Sequence, residues 1–231
     1  MLVLGIAFAS IAQKKKPAAA ASPYTTEKER VSYLIGYDIG QRIQADFKKQ
    51  EIDIDNTILL KGLSDIFNGK PNVIPDSIVR ETMMAFQQKM MAKQQNAHFA
   101  EYEKNKKEGE AFLAENAKKD SVKVTKSGLQ YKILKEGTGK APAETSTVVV
   151  HYRGRLINGT VFDESYSRGE PTTFPLNGVI KGWTEGLQLL KAGGKAELYI
   201  PEQLAYGERG AGQLIGAGAT LIFEVELIEV K

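Results

Sequence analysis

The apolar residues of this chain change their spacing once, near Gly128, and that change divides the sequence into two kinds of structure. Before it, Val31, Leu34, Ile35, Ile39, Ile43 and Phe47 recur every three or four positions, the repeat of one helix face. After it, Leu129, Tyr131 and Ile133 alternate with polar residues, and Val148, Val150, Tyr152, Gly154 and Leu156 do so again. Residues 195–200 and 220–230 read as further strands, with a short helix over 183–190 ended by Gly193 and Gly194. Asn158-Gly159 reads as a two-residue hairpin turn. That order predicts an antiparallel sheet wrapped on a short helix. The chain as a whole is therefore α+β: an N-terminal all-helical module, a long connecting helix and a C-terminal sheet domain.

The helical part carries its own punctuation. Thr26-x-x-Glu29 has capping-box spacing and opens the first helix. A second helix fits Asn56 to Phe67, stopped by Gly69 at the C′ position, with Pro71 beyond. A third starts after Pro75, capped by Asp76 or Ser77, with Val79, Met83, Phe86 and Met90 on its apolar side. Past Met91 it turns polar to about Lys119 and reads as a solvated arm, roughly 60 Å long over its full extent at about 1.5 Å per residue. Gly109 is a weak point where it could kink or end. Gly36 and Gly40 each cost a helix interior about 1 kcal/mol relative to Ala, so another backbone is expected to come close there. An intrachain helix contact and a dimer contact satisfy that equally well. The expected divisions are a signal peptide over 1–12, a flexible linker over 13–23, a helical dimerisation domain over 24–74, the connecting helix over 75–119 and the sheet domain over 120–231.

Composition removes several classes. Of 231 residues, 42% are hydrophobic and 26% charged, which suits a globular protein. The net charge of +3, from 31 basic and 28 acidic residues, argues against a nucleic-acid partner. There is no Cys, which excludes disulfides, thiolate metal sites and a thiol nucleophile. His98 and His151 stand too far apart to suggest a metal, and neither metal nor cofactor is expected. Residues 2–9 form an apolar run too short to span a bilayer. Ser10-Ile11-Ala12 has the spacing of a signal-peptidase site, with cleavage before Gln13, although no Lys or Arg precedes the run. A periplasmic or otherwise secreted protein with no membrane span is the expectation.

The C-terminal motifs are more specific. VFDES over 161–165, GVIKGW over 178–183 and AYG over 205–207 occur in that order, at suitable separations, inside residues 147–231. This stretch closely resembles the FKBP family of peptidyl-prolyl cis-trans isomerases. YLIGYDIG over 33–40 and LLKGLSDIFNGK over 59–70 resemble the N-terminal domain of the secreted bacterial macrophage-infectivity-potentiator type. That likeness implies N-terminal helices intertwined into a homodimer, through residues 24–90, with a long helix holding the isomerase domain at a distance. It also implies unfolded or proline-containing polypeptides as substrates, and macrolides as a ligand class.

The implied chemistry is non-covalent. Rotation about an X-Pro bond faces a barrier of about 18–20 kcal/mol because resonance makes the C–N bond partly double. Resonance separates charge, and water stabilises the separated form, so a dry, aromatic-lined pocket with a few hydrogen bonds suffices. By resemblance Trp183 floors the pocket, and Tyr152, Phe162, Val179, Ile180 and Phe223 wall it. Asp163, Tyr206 and the Ile180 backbone N–H are the polar groups. Arg168 pairs with Asp163, and Leu214 and Ile215 tip the loop that closes over the site. Thr172, Ala211, Gly178 and the run Gly216-Ala217-Gly218 depart from the best-known members and imply a more open site. Taken singly, each residue also suits an ordinary role: core for Trp183, Tyr152, Phe162 and Phe223, turn or surface for Asp163, Arg168 and Tyr206. Their joint occurrence favours the pocket. The alternative function is a non-catalytic holdase binding unfolded chains, in which Met83, Met84, Met90 and Met91 line a groove; Met as helix–helix filler explains them as well.

Overall fold

The computed structural model describes residues 22–231, so the expected signal segment and nearly all of the linker lie outside the described residues. Two compact units divide between Pro75 and Asp76.

In the first unit, helix α1 (Glu27–Gln50) opens on the expected capping box, with the Thr26 side chain accepting from the Glu29 N–H and the Glu29 carboxylate accepting from the Thr26 N–H. Helix α2 (Asn56–Phe67) is capped by the Asp55 carboxylate and followed by Gly69 at φ 68°. Neither helix buries a residue. Leu34 is 62% exposed and Phe67 85%. Beyond the helix's own backbone, no described residue lies within 4 Å of a Cβ placed on Gly36 or Gly40.

The second unit begins with helix α3 (Asp76–Asn116), which runs through Gly109 without ending. Gly109 is buried there because the Thr220 side chain abuts it, which corrects its reading as a weak point. The expectation of a solvated arm also fails over its last turns. Tyr102, Asn105, Gly109, Phe112, Leu113 and Asn116 share a face that packs on the sheet domain. Phe112 and Leu113 meet Tyr199 and Ile222 on the outer side of the sheet, and Asn116 donates to the Gln130 side chain at 2.9 Å.

The sheet has seven antiparallel strands: β1 (Lys123–Val124), β2 (Gln130–Lys135), β3 (Thr147–Leu156), β4 (Val161–Glu164), β5 (Thr172–Pro175), β6 (Lys195–Ile200) and β7 (Leu221–Val230). The order is β1-β2-β6-β7-β3-β4, and β3 shares its outer edge between β5 and β4. The turn at Asn158-Gly159 takes three residues rather than two. Leu156 N–H donates to the Thr160 carbonyl, and Gly159 adopts φ 88°.

Helix α4 (Lys181–Gln188) lies against the inner face of this sheet, over a core that includes Val150, Leu187, Leu198, Ile200 and Val225. Its approach is close because Gly182 and Gly186 face the sheet. A Cβ on Gly182 would stand 2.4 Å from Ile200 Cγ2, and one on Gly186 would stand 2.6 Å from Leu198 Cδ1. Between those glycines Trp183 is carried down into the sheet's concave end.

Candidate active site

A cavity of about 720 Å³ opens beside Trp183. The Trp183 ring is buried and packs edge-on to Tyr152 (5.2 Å between centroids) and Phe223 (5.0 Å). Phe162 closes the group edge-on to Phe223 at 5.4 Å. Edge-to-face contacts of this kind fix ring orientation as well as burying area. Tyr152 and Phe223 come from paired strands β3 and β7, and Phe162 from β4, so the sheet register sets all three.

Of the residues expected from sequence, Tyr152, Phe162, Asp163, Val179, Ile180, Trp183, Tyr206, Leu214, Ile215 and Phe223 all line the cavity. Thr172, Gly178 and Ala211, read as departures, line it too. Phe174 was not anticipated. Its ring lies 5.3 Å from Trp183 and supplies aromatic wall two residues after Thr172. The only signal for it was the short alternation Thr172, Phe174 on β5.

Arg168 does not line the cavity but holds the group that does. Its guanidinium donates to Asp163 Oδ1 at 2.8 Å, to the Tyr152 hydroxyl at 2.8 Å and to Thr172 Oγ1 at 3.3 Å. The Tyr152 hydroxyl in turn donates to Asp163 Oδ2. Burial pushes the Asp163 carboxyl up, but the bonds from Tyr152 and Arg168, with the guanidinium charge, outweigh it and hold the group below the usual carboxylate range. Burial, then the Asp163 bond, pushes the Tyr152 phenol up, against the opposing influence of Arg168. At neutral pH the pair is an anion beside a neutral phenol.

Other donors at the cavity are unspent. Tyr206 projects from the loop after β6, and its hydroxyl makes no hydrogen bond among the described residues. The Ile180 residue caps α4 in an extended conformation, and its carbonyl accepts from Trp183 and Thr184 while its own N–H stays unpaired among the described residues. Among the described residues the Trp183 indole N–H has no partner either, but its nitrogen is sealed from the cavity. The Tyr206 hydroxyl and the Ile180 N–H belong to cavity-lining residues that are not buried, so both are open to a visiting carbonyl oxygen. The described residues offer no cluster of His, Cys, Asp and Glu for a metal.

A fold of this kind, with an aromatic well floored by a helix-borne Trp and donors at its rim, is that of a prolyl isomerase domain. The chain belongs to the FKBP-type peptidyl-prolyl cis-trans isomerase family. Residues 138–228 match the family described as FKBP-type peptidyl-prolyl cis-trans isomerase, and residues 28–133 match the domain amino terminal to it. The chain is 49% identical over 202 residues to the probable FKBP-type peptidyl-prolyl cis-trans isomerase FkpA of Neisseria meningitidis, covering 87% of this chain and 74% of that one. It is 44% identical over 214 residues to the outer membrane protein MIP of Legionella longbeachae, covering 93% and 90%. The crystal structure of FkpA from Escherichia coli is similar at 38% identity and a TM-score of 0.77, over 90% of this chain and 98% of that one. The protein is thus a peptidyl-prolyl cis-trans isomerase with a helical N-terminal domain and an FKBP-like C-terminal domain.

Proposed function

We propose that isomerisation takes place in the Trp183 cavity, on proline-containing segments of exported polypeptides, in a protein that works as a homodimer. The proline ring sits over the Trp183 face, between Tyr152, Phe162 and Phe223. The Tyr206 hydroxyl and the Ile180 N–H bond main-chain carbonyls of the substrate. Asp163 lies near the carbonyl that turns. A planar prolyl amide places partial negative charge on that oxygen, and twisting removes it. An ionised carboxylate nearby therefore raises the planar form more than the twisted one, and a dry aromatic wall denies the planar form its solvation. The observation that carries this reading is the pairing of two unspent donors, the Tyr206 hydroxyl and the Ile180 N–H, with a cavity walled by Tyr152, Phe162, Phe174, Trp183 and Phe223.

Exchange of a short X-Pro peptide, followed by NMR, tests it. Uncatalysed exchange takes tens to hundreds of seconds, so weak catalysis is visible. We expect strong acceleration by the protein and a loss of about tenfold or more in Asp163→Ala at unchanged fold. Full activity in that variant would remove Asp163 from the site. The small side chains at Ala211, Gly178 and Thr172 support a roomy well, and a macrolide that competes with the peptide would occupy the same space. Export is supported by the expected leader over 1–12, and the dimer by the exposed apolar faces of α1 and α2.

A further inference from the structure

The closing turns of α3 are bonded to the loop that carries Tyr206. Asn105 Nδ2 donates to the Ala217 carbonyl at 2.8 Å. In the same peptide plane, the Gly218 N–H donates to the Gly207 carbonyl at 2.9 Å, and Gly207 directly follows Tyr206. One peptide unit is thus gripped by the helix at its oxygen and holds the neighbour of Tyr206 by its nitrogen. Donation to the carbonyl polarises the plane and strengthens the bond its N–H makes. The same segment bears the tip of the loop, where Ala211 and Ile215 exchange backbone bonds at 2.8 and 3.2 Å.

The approach of helix and loop is built in. Gly218 has φ 72°, and a Cβ there would stand 2.7 Å from the Tyr102 carbonyl oxygen. A Cβ on Gly109 would stand 2.2 Å from Thr220 Oγ1. Backbone blocks the first contact and a buried threonine the second, so neither position takes a side chain without moving the loop. Asn105 itself does not line the cavity.

We propose that Asn105 is a positioning residue for isomerisation: through the Ala217–Gly218 peptide it sets where the Tyr206 hydroxyl meets the substrate. The proposal rests on the reading of Tyr206 as a donor to the bound chain. Asn105→Asp tests it in the full-length protein, because it keeps the shape and removes the N–H. Asn105→Ala does the same without adding charge. Asn96→Asp, on an exposed part of the same helix, is the charge control.

With an X-Pro peptide, kcat/KM is expected to fall about five- to tenfold in both Asn105 variants, the consequence of losing one neutral hydrogen bond, and to stay at the parent value in Asn96→Asp. Tyr206→Phe is expected to lower it as well, and adding Asn105→Asp to Tyr206→Phe is expected to cost nothing more. In the Asn105 variants the Gly218 amide proton shifts upfield while the sheet resonances stay in place. Parental activity in both Asn105 variants, alongside an impaired Tyr206→Phe, overturns the positioning role and leaves the site reading intact. Losses that multiply in the double variant overturn it too, since Asn105 would then act independently of Tyr206. Full activity in Tyr206→Phe overturns the donor reading itself and the positioning role with it.

Discussion

Asp163 takes hydrogen bonds from two different strands' worth of structure, Tyr152 on β3 and Arg168 in the turn after β4, and this fixes its charge state. Its folded pKa lies below the ordinary value of 3.8, so it stabilises the fold fully above that pH and loses the contribution as pH falls through the lower, folded value. Activity that depends on the anion therefore persists to more acid pH than a free carboxylate allows. In Arg168→Ala the burial that pushes Asp163 up is less opposed. The carboxyl midpoint, followed by carbon NMR, is expected to move upward, and the acid limb of the activity profile with it. An unmoved midpoint would show that Tyr152 alone sets it. Residues of this site were legible where they belonged to dense motifs: VFDES, GVIKGW and AYG each pin several positions at once. Phe174 was not legible, because a four-residue strand gives one alternation and no motif. Asn105 was hidden for a different reason. Its face of α3 mixes Tyr, Asn, Gly, Phe and Leu, and a periodicity read from apolar residues passes over a stripe held by hydrogen bonds and close backbone approach.

Elements are placed here by what their glycines omit. In α4, Gly182→Ala gains about 1 kcal/mol of helix propensity. It also drives a methyl group into Ile200, which is fully buried and stiff at its branched Cβ, a cost of about 1–3 kcal/mol. The 2.4 Å approach puts the cost near the top of that range, so a net destabilisation of about 1–2 kcal/mol is expected. It should appear as a lower urea midpoint at unchanged slope. A variant as stable as the parent would mean that Ile200 has room to turn. Helix and strand positions were legible where the pattern ran long, as in α1, β3 and β7. The length of the turn after β3 was not, because Asn-Gly serves two-residue and three-residue connections alike, and the choice is made by the register of β4.

At the scale of the molecule, α1 and α2 present apolar side chains that their own unit leaves uncovered. Among the described residues nothing packs against Gly36 or Gly40, so no described contact offsets their cost to α1. A second copy lying against them would. Sedimentation equilibrium is expected to give twice the chain mass. The double variant Gly36→Ala, Gly40→Ala is expected to weaken that association at least tenfold, even though each Ala alone raises helix propensity by about 1 kcal/mol. A monomer in the parent, or an unweakened dimer in the variant, would place the seam elsewhere. The methionines bear on the same scale. Met83, Met84 and Met91 are exposed on α3. Replacing Met90 and Met91 by Gln, with the association intact, is expected to reduce suppression of client aggregation if that face holds unfolded chains; undiminished suppression rules the groove out.

The unspent donors around Trp183 have one more consequence. They are a hydroxyl and a backbone amide, and what suits them is the carbonyl oxygen that every polypeptide repeats at each residue. A site furnished this way asks of its visitor a ring and a bend, not a spelling. On the proposed reading its selectivity is grammatical: it sorts segments by the posture of their main chain, and is expected to serve clients whose sequences have nothing in common but proline.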